Sequence, residues 1–183
     1  MRYAFVAAFC GILLSAPALA NEQKNLPEFV TFGGYGFAWQ ANWRDRDESK
    51  RGPIVVYDVV SAWSGNVAKA DCARFKSELR GATWCFSTEE NKKAFDGKTK
   101  DGDNELLPSF GGRCALGVSW GMLTPRGHPE SARVITDTFG DPILVMHSNI
   151  KWWWQFKEED FKRALLAYNI AKGPRIVPNE QLK

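Results

Sequence analysis

The chain has 183 residues, 44% of them hydrophobic and 25% charged, with a formal net charge of +3. These are ordinary globular proportions, which exclude a mainly disordered chain, and the charge is too small to argue for a nucleic-acid partner. Residues 1–20 read as an export signal: Arg2 opens it, residues 4–14 are an apolar run, and Ala18-Leu19-Ala20 is a small-x-small cleavage site. The run is too short to cross a bilayer, and no later stretch approaches that length, so no transmembrane segment is expected in the mature protein. Cleavage after Ala20 leaves 163 residues, the size of one domain, and removing Arg2 brings the charge to +2. The expected location is periplasmic or secreted, where disulfides can form. Cys72, Cys85 and Cys114 are the cysteines that remain.

Residues 21–27 are polar and expected to be loose. Residues 29–43 are rich in aromatics and glycine and suggest an extended arm laid over a core; residues 44–51 alternate charge and close on Gly52-Pro53, which marks a solvated loop. The β-branched run 54–60 predicts a strand. Residues 74–79 and 82–86 flank Arg80-Gly81, a two-residue hairpin turn. Ser87 with Glu90 forms a capping box for a helix that would turn Ala94 and Phe95 inward. Residues 96–103 are turn-rich. A short helix is expected over 113–120, with Gly121 ending it. Residues 124–129 form a loop, and 132–137 with 143–147 form a second hairpin. Ser148 is placed to cap a following helix. Phe161, Ala164, Leu165 and Tyr168 recur at helical spacing, and Gly173-Pro174 stops that helix before a polar tail at 173–183. The order of elements predicts an α+β fold, and two hairpins exclude a purely parallel sheet.

Several stretches together resemble the YHS domain family, in particular its exported bacterial branch. They are Tyr57-Asp58-Val59-Val60-Ser61, Gly81-Ala82-Thr83-Trp84-Cys85-Phe86-Ser87, Glu90-Asn91 with Phe95, and Gly111-Gly112-Arg113-Cys114-Ala115 with Val118. The match is densest over residues 54–121. The resemblance implies a small antiparallel sheet of β-hairpins packed against helices, a YHS-like domain over 54–172 whose treble-clef-like core is extended by a C-terminal hairpin and helix. It also implies that three thiolate positions of the metal-handling branch are held here by Ser61, Ser87 and Asn91. Hydroxyls and amides are poor ligands for soft metals. Cys114 matches the cysteine typical of the exported branch.

Cys114 is the first candidate for chemistry, because a thiol in the first turn of a helix is biased toward thiolate. The competing expectation is a small buried residue packed under the hairpin. In a regular hairpin Cys85 faces Lys76, and Cys72 would stand about 13 Å away at strand rise, beyond the roughly 7 Å that a disulfide spans. A 72–85 pair therefore needs a bend near Asp71, and pairs of either residue with Cys114 stay open. His128 and His147 are the two histidines. With Cys114 and Met146 they could form a copper or zinc site, although no spacing among them is that of a ligand motif. Tyr57 and Asp58 are candidate ligand contacts in the signature stretch. Trp152-Trp153-Trp154 would spread over about 200° of a helix, so at least one is expected at a surface or an edge. No catalytic triad, HExxH, phosphate loop or paired-carboxylate motif is present, so no catalytic residue is assigned. The resulting expectation is an exported, YHS-like, non-enzymatic protein that binds a metal ion or a small ligand near Cys114. Alternatives are an interaction module that meets a protein partner through the Trp152–Trp154 run, and a thiol redox protein that uses Cys114.

Overall fold

The computed structural model describes residues 25–149, 157–171 and 176–182. The expected leader at 1–20, the Trp152–Trp154 run, any helix begun by Ser148 and the expected Gly173-Pro174 stop lie outside them. In chain order the elements are β1 (Leu26–Pro27), β2 (Ala38–Gln40), β3 (Ile54–Val56), α1 (Val59–Trp63), β4 (Lys76–Leu79) and β5 (Ala82–Cys85). Next come α2 (Glu89–Lys98), β6 (Thr99–Lys100), β7 (Asp103–Asn104) and α3 (Ala115–Ser119), then β8 (Arg133–Thr136), β9 (Pro142–Val145), α4 (Glu158–Ala171) and β10 (Ile176–Val177). The fold is α+β, as expected. Its described strands form separate pairs instead of one small sheet: β1 runs parallel to β10, and β2–β3, β4–β5, β6–β7 and β8–β9 are antiparallel.

The β4–β5 hairpin lies where the Arg80-Gly81 turn predicts it. Both turn residues have positive φ, 53° and 68°, as a twisted two-residue hairpin connection requires. Lys76 pairs with Cys85. The strand expected over 54–60 instead ends at Val56, and the chain turns into α1. Asp58 causes the turn, because its carboxylate caps the helix by accepting from the Val60 and Ser61 amides at 2.8 and 3.1 Å. Helix α2 starts one residue later than expected, with the Thr88 hydroxyl accepting from the Asn91 amide. That shift leaves Ala94 exposed while Phe95 is fully buried.

Ser87, freed from the capping role, turns inward to Asp58. The second Asp58 oxygen accepts from the Ser87 amide at 2.7 Å, the Ser87 hydroxyl at 2.6 Å and the Asn91 side-chain amide at 2.6 Å. Ser61 donates its hydroxyl to the Asp58 carbonyl at 2.7 Å and accepts from the Ala68 amide at 2.9 Å. Five donors thus meet one fully buried carboxylate. Burying a carboxylate is tolerable only with such saturation, and these charge-assisted bonds join α1, the exit of β5 and α2 at a single point.

Cys72 and Cys85 form a disulfide, with Cα atoms 5.0 Å apart. The regular-hairpin expectation fails because the ladder stops at Lys76. Before it, Asp71 closes a turn: its carboxylate accepts from the Ala73 and Arg74 amides, and its carbonyl accepts from the Phe75 amide at 2.9 Å. The Asp71 amide donates to the Phe86 carbonyl, and the Phe86 amide donates to Phe75. Asp71 and Phe75 therefore flank Phe86, and the looped residues between them bring Cys72 back onto Cys85.

Two apolar clusters lie under these elements. The first gathers Phe29, Phe37, Val59, Trp84, Phe86 and Phe95; the second packs Phe110 and Val118 against Phe161, Ala164 and Tyr168 of α4. The buried face of α4 is the one its helical spacing predicts.

Replacing Asp58 with Ala leaves five donors without their acceptor. The expected loss is at least about 3 kcal/mol of unfolding free energy, read from urea midpoints; a loss under about 1 kcal/mol would contradict the assigned role. Reducing the Cys72–Cys85 bridge, which closes a 13-residue separation, is expected to cost about 3 kcal/mol. The same loss should appear in a Cys72→Ala/Cys85→Ala variant, which then no longer responds to reductant.

Candidate functional site: an aromatic and arginine cleft

The N-terminal arm is tied down by groups distant in sequence. Strand β1 pairs with β10, and the Glu28 amide donates to the Val177 carbonyl at 2.8 Å. Asn179 accepts from the Phe29 amide and donates to the Phe29 carbonyl, at 2.9 and 3.1 Å. Residues 176–182 are therefore not the free polar tail expected from composition, because Ile176 and Asn179 are buried against the arm and the hairpin turn. The Val30 amide donates to the Gly111 carbonyl at 2.9 Å. Gly111 has φ +59°, and a Cβ there would stand 1.8 Å from the Glu28 carbonyl oxygen, so only glycine admits the arm. Arg113, almost fully buried, donates to the carbonyls of Pro27, Glu28, Phe110 and Leu123.

The 125–128 loop runs beside this anchor. The Cys114 amide donates to Pro125 and the Gly127 amide to Gly112, both at 2.9 Å, which places Arg126 opposite Arg113. From there Arg126 reaches the arm. Its Nη1 donates to the Thr31 carbonyl at 2.7 Å, and its guanidinium lies 4.2 Å from the Phe32 ring centre and 4.9 Å from that of Trp43. Burial pushes its pKa down. Arg44 lies over the same Trp43 ring at 4.8 Å. Trp39, carried on β2, packs against the His128 ring at 4.4 Å. Together Trp39, Trp43, Arg44 and Arg126, with Asn42 and Ser148, border a cleft of about 360 Å³. That volume, with aromatic walls and a few convergent polar groups, is the usual form of a small-molecule site.

The residues singled out from sequence are not gathered around one centre. Cys114 does cap a short helix, but it is buried and its Sγ accepts from the Gly117 amide at 3.5 Å. It neighbours Met146 in a bridge, while the His128 amide donates to the His147 carbonyl at 2.7 Å. His128 uses Nδ1 to accept from the Glu130 amide at 3.2 Å, and burial lowers its pKa. Among the described residues no group of three or more His, Cys, Asp or Glu could hold a metal ion, so Cys114, His128 and His147 are not brought together as the expected copper or zinc ligands. Tyr57 is buried and donates its hydroxyl to Glu130 at 3.0 Å; burial, reinforced by Glu130, pushes its pKa up to about 12. It braces the loop behind Trp39. Asp58 is saturated within the fold and presents nothing to a ligand. Ser61, Ser87 and Asn91 converge instead on Asp58. No helix among the described residues is long and apolar enough to cross a membrane.

Compared with family models, with curated proteins and with solved structures, the chain matches none. The likeness to the YHS family therefore rests on the quoted residues alone.

Sequence reading flagged the aromatic arm but missed Asn42, Arg44 and Arg126. The signal for Arg126 is faint: an arginine between Pro125 and Gly127, in a loop that follows a glycine-ended helix. Nothing in that spacing tells that the loop would pair with Arg113 and face the arm.

His147 is fully buried, and desolvation lowers its pKa to about 4. In the fold it is neutral, whereas an unfolded histidine takes up a proton near pH 6.5. Its contribution to stability is therefore complete above pH 6.5 and declines as pH falls toward 4. The decline should total up to about 3 kcal/mol. Chemical denaturation across this range should show it, and His147→Gln should flatten it; an equal slope in the variant would contradict the assignment.

Proposed function

We propose that the chain is an exported, non-enzymatic binding module, and that its small-molecule ligand occupies the Trp39–Trp43 cleft. The carrying observation is the cleft itself: two half-buried indoles that the arm leaves open to one side, beside amide, hydroxyl and guanidinium groups. Half-buried tryptophans with adjacent hydrogen-bonding groups suit a ring-bearing ligand, which takes van der Waals contact from the ring faces and orientation from the polar groups.

Binding is favoured over catalysis because the groups of chemical interest are engaged within the fold. The Cys114 thiol accepts from Gly117, the Asp58 carboxylate holds five donors, and the His128 Nδ1 accepts from Glu130. Arg126 pairs through its backbone with Arg113, the residue before Cys114, and the Cys114 thiol is buried. A small ligand fits this arrangement better than a metal ion does.

The test is a nuclear magnetic resonance titration of residues 21–183 with glucose, glucuronate, benzamide, benzoate and phenyl phosphate. At least one compound is expected to shift the Trp39 and Trp43 indole N–H signals together, and Trp43→Ala should weaken that compound's affinity at least tenfold. No shift at these two indoles with any compound at millimolar concentration would overturn the reading.

A further inference from the structure

Resting on that reading, we infer that the cleft selects anions: its ligand carries a carboxylate or phosphate head for Arg126 and Arg44, and a ring that lies against the indoles. Two observations carry this. The first is charge balance at the mouth. Among the described residues the cleft is bordered by two arginines and by no acidic residue. Arg51, Arg80 and Arg163 each meet a carboxylate, at 3.1, 2.6 and 2.6 Å, whereas Arg44 and Arg126, like Arg46 and Arg74, make no ion pair among the described residues. Both guanidinium groups stand within 5 Å of one indole centre, which puts them at most about 10 Å apart. At physiological ionic strength that is close to the screening length, so the two charges repel. The Trp43 ring offsets part of that repulsion through cation–π contact. An anion between them would offset far more.

The second observation is how Arg126 is held. Phe32 and Trp43 flank its guanidinium, and a single hydrogen bond from Nη1 to Thr31 fixes its plane. A half-buried guanidinium with one carbonyl partner still has N–H donors to satisfy. Its fixed planar fork matches the two oxygens of a carboxylate or phosphate. Arg113 has the opposite arrangement, since four backbone carbonyls take up its donors and leave it a structural role.

The experiment separates charge from ring contact. Benzoate and phenyl phosphate are compared with neutral benzamide and with inorganic phosphate, again by the Trp39 and Trp43 indole signals. Benzoate and phenyl phosphate should bind at least tenfold more tightly than benzamide, and inorganic phosphate should bind more weakly than phenyl phosphate. Arg126→Gln should remove most of the preference for anions over benzamide. Because Arg126 also holds the arm, Arg44→Gln serves as the second variant: Arg44 is exposed, so this change should reduce anion affinity several-fold with an unchanged urea midpoint. If benzamide binds as tightly as benzoate, or if Arg44→Gln leaves the ratio unchanged, the inference falls while the binding role stands. If no compound shifts the indoles, the binding role itself falls.

Discussion

The cleft exists because one buried guanidinium needs more acceptors than its own segment supplies. Arg113 lies under the arm, and a charged fork buried there must satisfy its N–H groups or lose several kcal/mol. The carbonyls it finds come from three separate stretches: Pro27 and Glu28 of the arm, Phe110 of the turn before α3, and Leu123 of the loop after it. The arm is therefore fixed against the 123–128 loop, and everything between them inherits that spacing. Phe110 shows the strain this requires. It has φ 57°, a left-handed conformation that costs a non-glycine residue about 1 kcal/mol or more. In return its ring joins Phe161 and Tyr168 in the second apolar cluster, while its carbonyl faces Arg113. Gly111 follows with the close approach to Glu28 that any side chain would block.

A second buried charge sets the other half of the molecule. Asp58 joins α1, the end of β5 and α2, and the strand that leads into it, β3, carries the pairing partners of β2. Trp39 sits in β2 opposite Val55, so its position follows from the Asp58 side. Arg126 follows from the Arg113 side. The cleft lies where the two halves meet, with His128 packed on Trp39 and held in turn by Glu130 and Tyr57. Two buried ions of opposite sign, neither paired with the other, thus determine where the aromatic and cationic walls stand.

Local signals in the sequence carried much of the fold. The Arg80-Gly81 turn, the short helix at Cys114 and the inward face of α4 follow from turn chemistry and periodicity, which act over a few residues. Errors arose where a side chain reached beyond its neighbourhood. Residues 54–60 look like one strand because their β-branching is local, while the Asp58 cap that breaks the run also draws on Ser87 and Asn91, some thirty residues away. The Cys72–Cys85 bridge depends on a turn closed by Phe86 across the hairpin, which a regular ladder cannot anticipate. The candidate site was half legible. An aromatic arm draws notice by composition, but Arg126 acquires its role only through backbone pairing with Arg113 and contact with Thr31, ninety-five residues away. Cysteine and histidine drew the attention as chemical groups; in the fold two cysteines form the disulfide, Cys114 and His147 are buried, and His128 packs on Trp39.

The most direct measurement of this account is amide hydrogen exchange in Arg113→Lys, which keeps the positive charge but loses the planar fork. The account predicts that the Glu28 and Val30 amides, bonded to Val177 and Gly111, lose most of their protection while Phe86 and the β4–β5 hairpin keep theirs. If the arm amides stay as protected as in the natural protein, or fade only in step with the hairpin, Arg113 does not hold the arm and the cleft must be built some other way.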